Sequence, residues 1–155
     1  MVDTLTRVER SAVMSRIRGK NTRPEIIVRR LAHSFGYRFR LHSRELPGSP
    51  DIVFPGLRKV IFVHGCFWHR HGCAQTYTPK TRLDFWVKKF TANVARDKKA
   101  NLGLRRAGWK VLVIWECQTA SSKRLARRLY RFLGTSAERR TVRTRRPLIR
   151  RVKPR

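Results

Sequence analysis

The sequence predicts an α/β fold in which a mixed central sheet is flanked by helices, and three observations carry that expectation. Apolar residues recur at helical spacing over 22–36, 81–108 and 122–134; short apolar runs of strand length occupy 51–54, 59–63 and 111–115; Gly or Pro punctuates the joins. Strands interspersed with helices place the helices on the faces of a sheet. The 155 residues, 41% of them hydrophobic, are the size of one ordinary domain with one core, and residues 1–137 are assigned to it.

The first element is a basic helix at 6–19, with Val13, Met14 and Ile17 on neighbouring turns. Thr22-Arg23-Pro24-Glu25 has the pattern of a capping box with Pro in the first turn, so a second helix starts there. It carries Ile26, Ile27, Leu31 and Phe35 as an apolar stripe and stops at Gly36. Tyr37 to Leu41 alternates aromatic and basic residues as a half-buried strand does, and Leu46-Pro47-Gly48-Ser49-Pro50 turns the chain. Residues 51–54 and 59–63 form a hairpin through Pro55-Gly56. Thr81-Arg82-Leu83-Asp84 opens a long helix, with Asp84 as its cap and Trp86, Phe90 and Val94 at spacing four, ending near Gly108. Val111 to Trp115 is apolar throughout, which predicts a central strand covered on both faces. A last helix from Ser122 to Leu133 stops at Gly134. Residues 138–155 hold nine Lys or Arg against one acid, with Pro147 and Pro154; such a segment cannot bury enough surface to fold alone and reads as a basic, disordered tail.

The 38 Lys and Arg outnumber the 9 Asp and Glu, for a formal charge of +29. That excess is far beyond what solubility needs and repels itself without an anionic partner, so nucleic acid is the expected partner. No apolar run reaches the ~18 to 20 residues of a membrane span, and Met1-Val2-Asp3-Thr4 lacks the basic-then-apolar layout of a secretory signal. A cytoplasmic protein with no membrane partner is expected. Three cysteines cannot all close into internal disulfides, which suits a reducing compartment and thiolates that bind metal.

Three of the five histidines and two of the three cysteines fall in one segment, His64-Gly65-Cys66-Phe67-Trp68-His69-Arg70-His71-Gly72-Cys73. A core run would be built from Val, Ile and Leu, whereas this one interleaves metal ligands, proton-transfer groups and stacking rings. Cys66 and Cys73 flank His71, and Cys117 follows the predicted strand at 111–115, so three thiolates and one imidazole are available for tetrahedral zinc. A closed set of this kind is structural, and it would pin an irregular loop to the end of a strand. On spacing alone, His69 can replace His71 as the fourth ligand, and the cysteines can also be small buried apolar residues.

With nine acids in the chain, each can be weighed. Asp3, Glu9 and Glu138 lie near the ends, Glu45 in a loop and Asp84 in a cap, which leaves Glu25, Asp51, Asp97 and Glu116. Asp51 opens an apolar strand directly after Pro50, where it can make an Asx turn or hold a hard cation at a sheet edge. Mg²⁺ takes one or two carboxylates with water and phosphate oxygens. On the adjacent strand Phe62 and His64 point to one face, and the Val63 carbonyl offers a neutral oxygen. Phosphodiester hydrolysis needs charge stabilised on phosphorus and a group that takes a proton from water; Asp51 with Mg²⁺ and a nearby histidine supply both. Glu25 is explained by the capping box as well as by a site.

Glu25, then Pro50-Asp51, then Phe62-x-His64 resembles the PD-(D/E)XK (restriction-endonuclease-like) nuclease core, with Phe-x-His in place of the usual final acid and lysine. The run Phe62 to His69 with His71 and Cys73, then Thr81-Arg82-x-x-Phe85-Trp86, Asn93-Val94-x-Arg96-Asp97, Gly108-Trp109 and Trp115-Glu116-Cys117, is similar to the very short patch repair (Vsr) DNA mismatch endonucleases over about residues 10–118. The resemblance implies a Mg²⁺-dependent nick in double-stranded DNA, 5′ to the T of a T:G mismatch left by deamination of 5-methylcytosine. It further implies Asp51 as essential metal ligand with the Val63 carbonyl; His69 as general base, oriented by Asp97; and His64 and Glu25 completing the site. Family members often carry Thr where Val63 stands, which leaves a main-chain ligand intact. Zinc maps onto Cys66, His71, Cys73 and Cys117. Phe67, Trp68 and Trp86 become an aromatic wedge beside the mismatch, with Met14, in a DNA-contacting region at 1–20, on the opposite groove. The implied protein is a bacterial-type monomer, nucleoid-associated when acting, with other DNA-repair proteins as further partners. On residues alone, Trp86 at spacing four from Phe90 is as readily core. Two other readings stand beside this one: a PD-(D/E)XK nuclease with a restriction or recombination target, and a non-catalytic zinc-stabilised nucleic-acid binder.

Overall fold

The computed structural model describes residues 19–134. Met14 and all but the last residue of the helix expected at 6–19 lie outside the described residues, as does the tail at 138–155. Helix α1 (Arg23–Ser34) begins on the expected capping box: the Thr22 hydroxyl accepts from the Glu25 N–H, and the Glu25 carboxylate accepts from the Thr22 N–H. Its buried stripe is rotated from the expected one. Val28 and Ala32 are fully buried with Ile27, Leu31 and Phe35 beside them, while Ile26 is 37% exposed, because the run Ile26-Ile27-Val28 spans more of the helix circumference than one face can bury.

Strand β1 is confined to Arg40–Leu41, shorter than the 37–41 expected. Tyr37 is buried there by its side chain: its hydroxyl donates to the Gly134 carbonyl at 2.7 Å and its ring meets Phe54 edge-on. Then come β2 (Ile52–Phe54), a short 3₁₀ turn at Pro55–Leu57, β3 (Lys59–His64), a single helical turn α2 (Cys66–His69), α3 (Leu83–Arg106), β4 (Lys110–Trp115), a second 3₁₀ segment at Glu116–Ala120 and α4 (Ser122–Leu133). The segment expected as an irregular loop after β3 therefore starts as a helix. Asp84 does not cap α3; Arg82 occupies that position in a left-handed conformation without a side-chain cap bond, and Asp84 sits in the first turn, where its charge opposes the positive end of the helix dipole.

The mixed sheet has the order β1-β2-β3-β4. The β1–β2 and β2–β3 pairs are antiparallel and β3–β4 is parallel, linked by the α2–α3 crossover. β4 is thus an edge strand, contrary to the central position expected, and only Ile114 in it is fully buried. Its apolar run reflects cover from helices on both faces, which an edge position does not prevent. One face of the sheet, with Ile52, Phe54, Ile61 and Ile114, packs on α1 and α4. The α4 contribution is Leu125, Leu129 and Leu133, at spacing four and at most 1% exposed, each worth about 1.5–3 kcal/mol of burial. The opposite face, with Val53, Val60 and Phe62, packs on Leu104 and Ala100 of α3. Asp51 and His64 share the parity of Val53 and Phe62, so both fall on the α3 face. Among the described residues no helix is long and apolar enough to cross a membrane.

Candidate active site

β3 outruns its antiparallel neighbour. The ladder ends at Ile52↔Ile61, while pairing with β4 continues to His64↔Trp115, so the last residues of β3 have one open edge. The Val63 N–H on that edge donates to Asp51 Oδ2 at 2.7 Å. In an extended strand the N–H and C=O of one residue face the same edge, which turns the Val63 carbonyl toward Asp51 as well. On the other side, the pair Leu41↔Ile52 sets His42 opposite Asp51, and the His42 N–H donates to the Asp51 carbonyl at 3.3 Å.

The Asp51 side chain completes a trio with Glu25 and His42 whose ligand atoms lie within 4.8 Å of one another. Burial pushes the Asp51 carboxyl up from its ordinary 3.8 to about 6; the Val63 N–H opposes that rise and the Glu25 charge adds to it. Glu25, at the buried first turn of α1, is 2% exposed and forms an ion pair with Arg29 at 2.5 Å. His42 Nε2 lies 2.9 Å from Arg29 Nη2, and its Nδ1 lies 3.8 Å from Asp51 Oδ1. Burial holds the His42 imidazole below its usual range.

A second trio, His64, His69 and Asp97, has its ligand atoms within the same 4.8 Å limit. The short helix α2 brings His69 back over the end of β3, where its ring stacks on His64 with centroids 3.9 Å apart and planes 10° from parallel. Asp97 arrives from the middle of α3 and bonds His69 Nδ1 at 2.5 Å; its distance to His64 Nδ1 is 3.9 Å. Burial first, and the neighbouring His69 second, hold the His64 imidazole down at about 4. Asn93, one turn before Asp97, donates to the Trp68 carbonyl at 3.1 Å and ties α2 to α3.

Both trios open on one cavity of about 850 Å³, lined also by the basic residues Lys20, Arg44 and Arg96. The turn into Asp51 is fixed by Gly48 at φ +74, where a Cβ would stand 2.5 Å from the Ala100 Cβ of α3. The predicted Asp51, His64, His69, Asp97, Glu25 and Val63 all line this cavity. His42 and Arg29 were missed by sequence reasoning. The signal for His42 lies in the β1–β2 register, nine residues before Asp51 and invisible to local spacing.

Beyond the paired ends, the parallel register carries on: Cys66 follows β3 and Cys117 follows β4 by the same two residues, and the Cys117 N–H approaches Cys66 Sγ at 3.4 Å. Cys73 joins them, giving three thiols within 4.8 Å of one another. Burial pushes the Cys66 thiol up to about 12, a cost that a bound cation would reverse by taking thiolates. Three converging thiols suit tetrahedral zinc. His71 is outside this group; its ring stacks on Trp115 with centroids 4.4 Å apart.

The three rings expected as a wedge differ in position. Phe67 lies edge-on to Trp68, Trp86 and Phe90 and tilted against Tyr77, with centroids between 4.9 and 5.5 Å. Trp86 is 8% exposed and stacks on Phe90, so it is the inner support of the cluster and not a free ring, as its spacing allowed. Trp68 is half-buried with Lys89 over its face at 5.2 Å. Tyr77, 64% exposed, packs on Phe67, and Phe85, 44% exposed, lies against Trp86 with Arg82 and Lys89 over its ring.

A family model described as DNA mismatch endonuclease Vsr matches residues 2–75. The chain is 52% identical over 136 residues to the type II nicking enzyme V.XorIIP of Xanthomonas oryzae pv. oryzae, covering 88% of this chain and 100% of that protein. It is 40% identical over 133 residues to the type II nicking enzyme V.NmeAIP of Neisseria meningitidis, covering 86% and 95%. The DNA mismatch endonuclease Vsr of Escherichia coli is 39% identical over 125 residues, covering 81% of this chain and 80% of that protein.

Proposed function

This chain belongs to the Vsr family of DNA mismatch endonucleases, and from that premise we propose that it nicks double-stranded DNA 5′ to the T of T:G mismatches arising from deaminated 5-methylcytosine. The observation that carries the reading is the pairing of His69 Nδ1 with Asp97 Oδ2 at 2.5 Å in the same cavity as Asp51. The fold is read as a PD-(D/E)XK core, with Asp51 opening β2 and Phe62 and His64 on β3. The domain is taken as 1–137 with a DNA-binding tail, acting as a monomer in the cytoplasm.

Asp51 and the Val63 carbonyl would hold Mg²⁺, which supplies charge stabilisation at phosphorus when bound. A carboxylate at the open end of a strand, held above its ordinary range by burial, is a donor suited to a hard cation. Asp97 holds the His69 proton at Nδ1, which leaves the Nε2 lone pair free to take a proton from the attacking water. The Asp97 carboxylate then stabilises the imidazolium, as in other acid–imidazole pairs. His64, held at about 4, stays neutral at neutral pH and adds no positive charge against the face of the base. Lys20, Arg44 and Arg96 would take the flanking phosphates. Phe67 and Trp68, backed by Trp86, would replace the stacking lost when the mismatched step opens. Zn²⁺ would be held by Cys66, Cys73 and Cys117, with His71 as fourth ligand once its ring leaves Trp115; its contribution is to fix the ends of β3 and β4.

Incubation with Mg²⁺ and duplexes carrying T:G, C:G or other mismatches tests the reading. Nicking confined to T:G, on the T strand, is expected. Equal cutting of every duplex would favour a nuclease with another target. Binding without cutting would make the protein a non-catalytic binder.

A further inference from the structure

We propose that Arg29 and His42 are positioning residues for Asp51, through a fixed relay that runs Glu25, Arg29, His42, Asp51. The inference rests on the reading of Asp51 as a cation ligand, and it gives Glu25 a task other than direct ligation.

The acceptor count at Glu25 is the starting point. A carboxylate offers about four lone-pair sites, and four donors already occupy them. Oε1 receives the Thr22 N–H at 3.3 Å and the Thr22 hydroxyl at 2.9 Å; Oε2 receives the Asn21 N–H at 3.1 Å and Arg29 Nη2 at 2.5 Å. Glu25 is therefore an anchor for Arg29, with no acceptor site left for a cation. Arg29 is also held through Nη1 on Asn21 Oδ1 at 2.6 Å, so its guanidinium is fixed in place and not a free surface charge.

The next link sets a tautomer. Arg29 Nη2 stands 2.9 Å from His42 Nε2, and a guanidinium has donors only. His42 Nε2 must accept, which puts the ring proton on Nδ1. Nδ1 is the nitrogen that faces Asp51 Oδ1 at 3.8 Å. A proton on that nitrogen places positive charge near Oδ1, while Nε2 stands 3.7 Å from Glu25 Oε2 and the Val63 N–H holds Asp51 Oδ2 at 2.7 Å. The contact at 3.8 Å is longer than a hydrogen bond. It orients the carboxylate without occupying the oxygen that a cation would take. Outer partners of this kind orient metal-binding carboxylates and set their affinity.

Mn²⁺ titrated into the full chain without DNA, with free ion followed by electron paramagnetic resonance, tests the relay apart from activity. Wild type is expected to bind Mn²⁺ and Asp51→Ala to lose that binding. His42→Ala is expected to weaken it by about tenfold or more, and His42→Asn, which restores an N–H near the Nδ1 position, to recover most of the loss. Long-range ¹H–¹⁵N spectra are expected to show His42 with its proton on Nδ1 in the wild type and to move toward the Nε2 form in Arg29→Gln. Unchanged Mn²⁺ affinity in His42→Ala, whether or not its melting temperature falls, would overturn the relay while sparing Asp51 as ligand, as would an Nε2-protonated His42 in the wild type. Unchanged binding in Asp51→Ala would instead defeat the reading of Asp51 as ligand and the relay with it. Should His42→Ala fail to fold, the wild-type tautomer and His42→Asn still decide.

Discussion

The trios Glu25–His42–Asp51 and His64–His69–Asp97 face one cavity and use the same residue types, yet their charges are satisfied in opposite ways. In the first, two carboxylates meet one fixed guanidinium, Arg29, which is bonded to Glu25 and to His42. One negative charge, on Asp51, is left without a fixed cation. The second sets a single carboxylate against two stacked imidazoles, so its balance changes whenever a ring gains a proton. The lesson is a division of labour written in charge: one end leaves an unpaired carboxylate that a cation can fill, the other sets one carboxylate against proton-accepting rings.

The largest expected effect breaks the first end. Asp51→Ala should abolish nicking at any Mg²⁺ concentration while leaving binding to a mismatched duplex intact, because the cavity keeps Lys20, Arg44 and Arg96. Gel-shift and nicking assays on the same preparation check it; measurable nicking in the variant would remove Asp51 from its role. His69→Ala breaks the second end and should slow nicking by about 10²–10⁴-fold, the usual contribution of a general base. Single-turnover rates at saturating Mg²⁺ measure that loss. If the two ends divide the work as described, His69→Ala leaves Mn²⁺ affinity unchanged.

A third experiment reads the unfilled charge as stability. The Asp51 carboxyl stands at about 6 in the folded protein against an ordinary 3.8, so the folded state binds the extra proton. The favourable contribution is complete below the ordinary value and is lost as pH rises through 6. A rise of about 2 pH units corresponds to about 3 kcal/mol. Asp51→Asn removes this penalty. In the absence of divalent cations it should be close to wild type in stability at pH 4 and more stable at pH 8, by at most about 3 kcal/mol. Urea unfolding at the two pH values decides, and a variant that loses ground to wild type between pH 4 and pH 8 would contradict the charge account.

The same contrast explains what could be read from the sequence. Thr22 and Glu25 announce α1 because a capping box is local. A dense ligand run and a scarcity of acids made His69 and Asp97 candidates, but their pairing as base and orienting acid came from the resemblance to the Vsr endonucleases and not from spacing. His42 could not: it reaches Asp51 through the pairing of Leu41 with Ile52, and register is not a local property. Arg29 was one basic residue among 38 Lys and Arg, and only its partners distinguish it. The edge position of β4 was hidden for a related reason, since cover by helices on two faces leaves the same apolar run in an edge strand as in a central one. The burial of Trp86 was undecided because spacing four serves a core and a wedge alike.

The smallest expected effect separates the two ends by their scaffolds. Cys66 begins α2, which carries His69, and Cys117 meets it just beyond β4. Asp51 and His42 are set by the β1–β2 pairing and by the Val63 N–H of β3, three residues before the first thiol. Cys117→Ser should therefore lower zinc content and melting temperature and slow nicking only a few-fold, by loosening the seat of His69 by a fraction of an ångström. Mn²⁺ affinity and the His42 tautomer should stay as in the wild type. Metal analysis, thermal melts and the Mn²⁺ titration give the three readouts. Equal loss at both ends would show that the thiol cluster supports the whole cavity; a variant with full zinc and unchanged melting would show that Cys117 is not part of the metal set.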